Sequence, residues 1–589
     1  MYRIKNHIDI ILSIFFGIAV FIFFNSFYKY HLNYQEQLQM FLFTTDYCSD
    51  LLSRPGGLAD YSGTFFTQFY YYSWLGALII SGMLVLLQLQ VKMIADKMNK
   101  NILFLPLTFI PSILFLNLLC DENFMLSALI AALITLLSVQ LYSLLKSRIV
   151  RICVCIFMLP VLYWFIGGIY WVFAVLCLIV EWGYFKQFSK TNWFIITISS
   201  FLLIILLPYL AHLFLQYPLT RLFWGISYYR YPEVSPYSLF IVWLSLLFVP
   251  LMFKYLPVES KKYNIVIYVT LQLILILFLG IQYLKSSADL NKEEIMAYDY
   301  NVRIQNWNKV ISMANHKDPN EPISVTCLNL ALSKTGTMGD CMFRYYQNGP
   351  EGLLPSFQRD FTLPFVSGEV YYHLGLLNTA MQFAFEAMEA IPDFKKSSRA
   401  IKRIAEVNLL NGEYKVASKY LHILQHTLFY RQWATETLLC IGNLKMINQN
   451  PEWANLKKYR LKDDFLFSEQ EKDQMLGLLF VHCPSNRMAY EYLIAYTLLT
   501  KDLKHFVQYF PLGKSLDYKE IPAHYQEALL FATGNNNSNY EQPSFPNISM
   551  AVKQNFSKYE NIYSANMNNE AQLRTGFLQT YWYYFQFRK

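Results

Sequence analysis

Leu273-Ile274-Leu275-Ile276-Leu277-Phe278-Leu279-Gly280-Ile281-Gln282-Tyr283-Leu284-Lys285-Ser286-Ser287-Ala288-Asp289 is where the chain changes character. Up to Leu284 the run is apolar and long enough to cross a bilayer, which takes about 20 such residues. From Lys285 onward the sequence is polar, charged and punctuated like a soluble domain. The reading on either side of this boundary yields two domains, 1–285 and 286–589. Over all 589 residues the mean hydropathy is +0.24, with 54% hydrophobic and only 15% charged residues. Soluble domains carry about 25% charged residues, so the composition excludes an ordinary soluble fold as well as disorder. It points to a polytopic membrane protein.

Working back towards the N-terminus, apolar blocks fall near 9–28, 70–91, 102–119, 124–145, 150–166, 168–185, 193–215, 237–256 and 263–283. About nine spans are expected. Trp164-Phe165-Ile166-Gly167-Gly168-Ile169-Tyr170-Trp171 is either a tight outer turn or a break in one long helix, and the side on which the second domain lies depends on which. Basic residues mark cytoplasmic loops. With the N-terminus inside, the inner segments hold Arg3, Lys5, Lys92, Lys97, Lys100, Lys146, Arg148, Arg151, Lys186, Lys190, Lys254, Lys261 and Lys262; the outer ones before the last span hold Lys29, Arg54, Arg221 and Arg230. The net charge of +8 is thereby accounted for by topology and anionic lipid, not nucleic acid. The first helix lacks a cleavage site and reads as an uncleaved anchor. The expected setting is the inner (cytoplasmic) membrane of a bacterium, with the second domain periplasmic. The long outer loops are 30–69 and 214–236.

The second domain reads as helical and carries a degenerate repeat. Gly375-Leu376-Leu377-Asn378-Thr379-Ala380, then Phe383, matches Gly412-Glu413-Tyr414-Lys415-Val416-Ala417, then Tyr420. Pro392 closes the first unit. Weaker copies start at Asn306-Trp307 and at Lys501-Asp502-Leu503. The segments resemble tetratricopeptide repeats, with a generic array of helical hairpins as the alternative; either is an α-solenoid offering a face to a peptide or protein partner. The stretch from Gly534 to Asn547 reads as a flexible loop before a last helix. Cys327 and Cys341 either pair or stay separate thiols, and no Cys-x-x-Cys, His-Glu-x-x-His, Gly-x-Ser-x-Gly or phosphate-binding loop is present.

Candidate chemistry lies on the outer face of the first domain. The first loop holds Glu36, Asp46, Asp50 and Asp60, and the next outer turn holds Asp121-Glu122. A carboxylate there can act as a general base or hold a divalent cation, although no cofactor is specified. Asp121-Glu122 can equally cap the helix expected over 124–145. Arg54, Arg221 and Arg230 lie on the same side and suit phosphate oxygens. Arg54-Pro55-Gly56-Gly57-Leu58-Ala59-Asp60-Tyr61 contains a turn whose bare backbone, at Gly56 and Gly57 with Asp60 nearby, either approaches a ligand or merely turns the chain.

This arrangement resembles the polytopic GT-C class of glycosyltransferases, which have a long first outer loop with a catalytic acid, further acids in the next outer loop and often a closing extracytoplasmic domain. By that resemblance the first-loop acid is Asp46 or Asp50 and the second-loop pair is Asp121-Glu122. The resemblance implies transfer from a polyprenyl-phosphate-linked sugar, with Arg54, Arg221 or Arg230 on the lipid phosphate. The sequence has no Asp-x-Asp and no Trp-Trp-Asp motif. The Arg54–Tyr61 stretch is also similar to that of an uncharacterised family of polytopic membrane proteins of Bacteroidota. A non-catalytic, membrane-anchored helical scaffold for an envelope complex is the alternative expectation.

Overall fold

A computed structural model describes residues 8–100, 102–185, 190–225, 228–234, 236–255, 265–357, 360–461, 468, 470–516, 518–534, 548–565 and 570–588. Arg3, Lys5, Lys186, Lys261, Lys262 and the Asn-rich 535–547 stretch lie outside these residues. The described residues are helical, and no strand longer than an isolated bridge occurs among them. The chain forms two compact units. The first comprises 1–293 together with 392–398 and 426–431; the second comprises 294–391, 399–425 and 432–589. Two short segments from the polar half of the sequence thus belong to the first unit.

The first unit contains α1 (Ile8–Ile22), α2 (Lys29–Gln37), α3 (Thr45–Leu52), α4 (Gly57–Thr67), α5 (Ser73–Met98), α6 (Ile110–Leu118), α7 (Ser127–Tyr142), α8 (Arg148–Ile166), α9 (Tyr170–Val180), α10 (Lys190–Phe214), α11 (Leu219–Trp224), α12 (Tyr237–Tyr255) and α13 (Ile265–Ser287). Six segments are long and apolar enough to cross a membrane: Asp9–Phe27, Ser73–Met98, Arg148–Phe185, Ile196–Phe214, Tyr237–Tyr255 and Ile267–Ser287. This is fewer than the nine expected, because Phe104–Leu118 and Ser127–Tyr142 are shorter and Arg148–Phe185 forms a single apolar run. Large apolar side chains such as Phe157, Phe201, Leu275 and Phe278 are more than half exposed. Water does not solvate so continuous an apolar surface, and lipid does, so the protein is a membrane protein.

The 38-residue segment settles the ambiguity at Trp164–Trp171. Gly167, at φ 74°, ends α8, and the chain folds back on itself. Arg151 bonds Glu181 at 2.5 Å, and the rings of Tyr163 and Tyr170 meet edge-on at 5.0 Å. Partners equidistant from the turn define an antiparallel helical hairpin. A Cβ on Gly168 would lie 2.3 Å from the Trp224 carbonyl oxygen, so glycine there permits the turn to pack against the end of α11.

Side-chain bonds sort the loops of this unit into two ends. At one, Lys92 pairs with Asp9, Lys97 with the Ser143 hydroxyl, Arg151 with Glu181, and Lys254 donates to the Trp182 carbonyl. At the other, the Tyr28 hydroxyl donates to the Cys120 carbonyl, the Gly56 amide to Trp164, and the Tyr228 hydroxyl to Ile166. Lys292 pairs with Glu122 there as well. The first end is rich in lysine and arginine. Between the ends, polar side chains join α1 to α5 and onward: Ser13 donates to Gln88, and Gln88 to Thr108. Such bonds hold apolar helices together where burial from water gives no driving force.

The second unit is built on one repeated device. Within it lie most of α14 (Leu290–Arg303) and of α19 (Ser398–Asn411), and all of α15 (Trp307–His316), α16 (Pro322–Lys334), α17 (Leu363–Leu374), α18 (Leu377–Ala390), α20 (Tyr414–Gln425), α21 (Arg487–Leu499) and α22 (Leu503–Tyr509). Gly375 and Gly412, the glycines of the repeat, sit at φ 92° and 86° between α17 and α18 and between α19 and α20. The amides of Gly375 and Leu376 donate back to the carbonyls of Tyr372 and Tyr371, and those of Gly412 and Glu413 to Leu409 and Asn408. This is the Schellman closure of a helix C-terminus. The weak copies have the same geometry with other residues. Gln305 (φ 56°) joins α14 to α15, and Lys501 (φ 60°) joins α21 to α22, with Asn306 and Asp502 as N-caps. Helix–turn–helix units therefore stand at all four positions.

The packing departs from a one-dimensional stack. α21 is buried along nearly its whole length and packs against α16 and α17, over 100 residues distant, with Ser333 donating to Glu491 at 2.8 Å. In a solenoid each repeat touches only its neighbours. Cys327 and Cys341 are separate thiols, and Cys327 is fully buried. Three helices, Met550–Ala565, Glu570–Phe577 and Tyr581–Phe587, follow the Asn-rich stretch in place of the single one expected.

Candidate functional site

The site lies in the first unit, at the end that carries the loop between α1 and α5. Thr44 caps α3 by accepting from the Tyr47 amide. The chain then turns through Pro55-Gly56-Gly57 into α4. Gly56 takes φ 79° and donates its amide to the Trp164 carbonyl at 2.8 Å; a Cβ on Gly57 would lie 2.1 Å from the Leu51 carbonyl oxygen. The bare backbone of this turn therefore serves close packing within the protein. Neither glycine lines the adjoining cavity.

That turn sets Arg54 beside Asp60, one turn into α4. Asp60 is 1% exposed and accepts from Arg54 Nη2 at 2.7 Å and from Lys395 Nζ at 2.8 Å. Arg54 also lies 3.5 Å from Asp393, which pairs with Arg221 as well. Two carboxylates are thus interleaved with three cations. All five side chains are nearly buried, the most exposed being Arg54 at 12%. Burial works against charge on Arg54, but Asp60 and Asp393 outweigh it and hold its pKa above the ordinary guanidinium value. Arg221 comes from α11, and its guanidinium also lies over the Tyr217 ring. The Nε atoms of both Arg54 and Arg221 are buried without an acceptor among the described residues.

A cavity of about 390 Å³ opens on this network. Arg54, Lys395, Lys396, Asp393 and Asp50 supply its charges, Ser53, Thr64, Tyr47 and Tyr217 its hydroxyls, and Met40, Leu42, Leu51 and Phe394 its apolar wall. The segment 392–398 is tied to the first outer loop by the Met40 amide, which donates to the Lys396 carbonyl at 2.9 Å. Its backbone is unusual: Asp393 and Phe394 are successive non-glycine residues at φ 62° and 57°. Such conformations cost roughly 1–2 kcal/mol each and gather at functional sites.

The expected site residues divide into three groups. Arg54, Arg221 and Asp60 come together in the network, and Asp50, exposed on α3, lines the cavity. Asp46, in the first turn of α3, is exposed and does not line it. Asp121, Glu122 and Arg230 form a different cluster. Asp121 accepts from the Asn123 amide at 2.9 Å and the Tyr229 hydroxyl at 3.0 Å, Glu122 pairs with Lys292, and Arg230 donates to the Glu122 carbonyl. Burial raises the Asp121 pKa against the pull of the Asn123 N–H. The pair does not cap the following helix, which begins at Ser127 after an N-cap, Leu126, with no side-chain bond. Asp121 instead closes the short turn that leads to the Phe124–Tyr229 bridge. Among the described residues no group of three or more His, Cys, Asp or Glu is placed to hold a metal ion. The carboxylates of the network face cations, and the surplus charge at the cavity is positive.

Asp393, Lys395 and Lys396 were not expected. They lie in the polar half, over 300 residues from Arg54, and their only local signal is a Lys-Lys pair after a helix-ending proline.

Fold and site together define a polytopic all-α membrane protein with a cationic cavity at one end of its apolar helices. The chain matches, over residues 4–588, the model of a family described as a family of unknown function, DUF6057, and belongs to that family. None of the curated proteins and none of the solved structures matches it.

Proposed function

We propose that the cavity binds the phosphate of a membrane lipid, and that the protein is a GT-C-like transferase taking a sugar from a polyprenyl-phosphate donor. The observation that carries this reading is a pair of buried arginines with unfilled Nε donors: Arg54, which lines a cavity with both cationic and apolar walls, and Arg221, which pairs with the cavity-lining Asp393. Arginine matches phosphate geometry, and an apolar wall next to it suits an isoprenoid chain. In this reading Asp50, a carboxylate lining the cavity, deprotonates an acceptor hydroxyl. In this reading the chain crosses the inner membrane nine times. The folded-back hairpin counts as two crossings, and the two shorter helices complete the count. The N-terminus is cytoplasmic, and the second unit, with a peptide or protein partner, is extracytoplasmic.

The test is transfer from a lipid-linked sugar by membranes containing the full chain. Arg54→Gln and Arg221→Gln should each lower turnover at least tenfold, chiefly through the KM for the donor, and Asp50→Asn should lower kcat. Undiminished transfer in all three variants would remove the assignment. A second reading, a non-catalytic lipid-binding scaffold, is favoured by one observation: the acids of the second outer turn are engaged with Tyr229 and Lys292 and do not line the cavity. Donor binding without turnover would select it.

A further inference from the structure

We infer that Asp393 is an internal anion standing in the phosphate position, and that a ligand phosphate binds by displacing it from Arg54 and Arg221. The inference rests on the cavity being a phosphate site and adds how that site is kept when empty.

The two carboxylates of the network are held in different ways. Asp60 sits on a regular helix, is 1% exposed and accepts from Arg54, Lys395 and the Thr64 hydroxyl. Asp393 is carried by two successive left-handed residues, a turn that also leaves the Phe394 side chain 92% exposed. The bonds formed by its carboxylate help offset that backbone cost, so a competitor for the arginines gives the turn an alternative. A carboxylate has two oxygens, and those of Asp393 leave Nε of both arginines without an acceptor. A phosphate monoester, such as the polyprenyl phosphate left when the sugar has been transferred, has three terminal oxygens and a larger charge than a carboxylate, so it can fill donors that Asp393 cannot. Once Asp393 is displaced, Arg54 retains Asp60, while Arg221 is released to the ligand.

The test uses the full chain in neutral-detergent micelles and two probes, inorganic phosphate and farnesyl monophosphate, titrated calorimetrically. Asn matches Asp in shape and tolerates the left-handed backbone, so Asp393→Asn should bind both probes at least tenfold more tightly than the wild type. Asp393→Gly, which removes the carboxylate and accepts the positive φ, should act in the same direction and guards against a folding defect in the first variant. Tighter binding of farnesyl monophosphate than of inorganic phosphate identifies a lipid headgroup as the source, and equal binding identifies a free phosphate; either agrees with displacement. If the wild type binds phosphate through Arg54 but both Asp393 variants bind it no better or worse, Asp393 belongs to the binding site and the displacement idea fails while the phosphate reading stands. If neither the wild type nor the variants bind either probe, both fail.

Discussion

Glu293 shows how one buried side chain ties stability to pH. It is 8% exposed, and its two carboxylate oxygens accept from the Tyr30 amide at 2.7 Å and the His31 amide at 2.9 Å. Burial pushes its pKa up to about 7, against those N–H groups and Lys29, which pull it down. The folded protein therefore keeps a proton that the unfolded chain releases near pH 4.5. The stability this confers is complete below pH 4.5 and is lost as pH rises through 7. His31 has the opposite sense: burial lowers its pKa to about 4, so acid destabilises it in the charged form. Comparison with Glu293→Gln isolates the carboxyl. The variant loses one amide bond at every pH and should melt below the wild type at pH 5. At pH 8 the gap should close or reverse, a relative change on the order of 2–3 kcal/mol. A gap that stays constant between the two pH values would show that Glu293 titrates normally. The candidate site was legible at this scale only in part. Arg54, Asp60, Asp50 and Arg221 stand out because charges are scarce among apolar blocks. Asp393 and Lys395 do not, because in a polar segment charge is ordinary and nothing local records which distant residue it meets.

Among the elements, the helix–turn–helix units of the second half test what the repeat means physically. Gly375 and Gly412 occupy equivalent positions with similar φ but different surroundings. A Cβ on Gly412 meets nothing within 4 Å, while one on Gly375 would lie 2.5 Å from the Tyr459 Cβ. Gly412→Ala should therefore cost only the backbone strain, about 1 kcal/mol, and Gly375→Ala about 2–4 kcal/mol, since Tyr459 must also move. Lys501→Gly should raise stability by roughly 0.5–1 kcal/mol, because it relieves φ 60° and the Nζ bond to the Arg588 carbonyl is partly exposed. Thermal melts of the three variants check the order, and equal losses at the two glycines would refute the steric argument. The strong copies were readable because glycine marks the left-handed position. The copies at Gln305 and Lys501 looked weak because other residues take that position, although Asn306 and Asp502 cap the helices that follow. The return of α21 against α16 and α17 was not readable, since a repeat pattern describes neighbours and carries no signal for long-range closure.

For the whole molecule, the hairpin at Gly167 bears on a parity that composition left open. Counted by length, Arg148–Phe185 is one apolar segment, yet Arg151–Glu181 and Tyr163–Tyr170 show that it goes and returns. If every long segment crosses and this one crosses twice, the six make seven passes. The two shorter helices, Phe104–Leu118 and Ser127–Tyr142, are joined by the loop that bears Asp121 and Glu122. That loop bonds the residues after α1 and after α13: the Tyr28 hydroxyl to the Cys120 carbonyl, and Lys292 to Glu122. A pair of helices joined in this way either crosses the bilayer together or dips in and returns together. At 1.5 Å per residue they span roughly 22–24 Å, short of a 30 Å core, and their length allows either arrangement. The count is nine or seven, odd both ways, so the chain's two termini should lie on opposite sides. In the proposed topology the lysines and arginines at the Asp9–Lys92 end face the cytoplasm. An alkaline phosphatase fused after residue 589 of the full chain should be active, and a green fluorescent protein fused at the same point and exported through the same pathway should stay dark. The reverse pattern would mean an even number of crossings, and would require either that α8 and α9 do not both span or that only one of the short helices does.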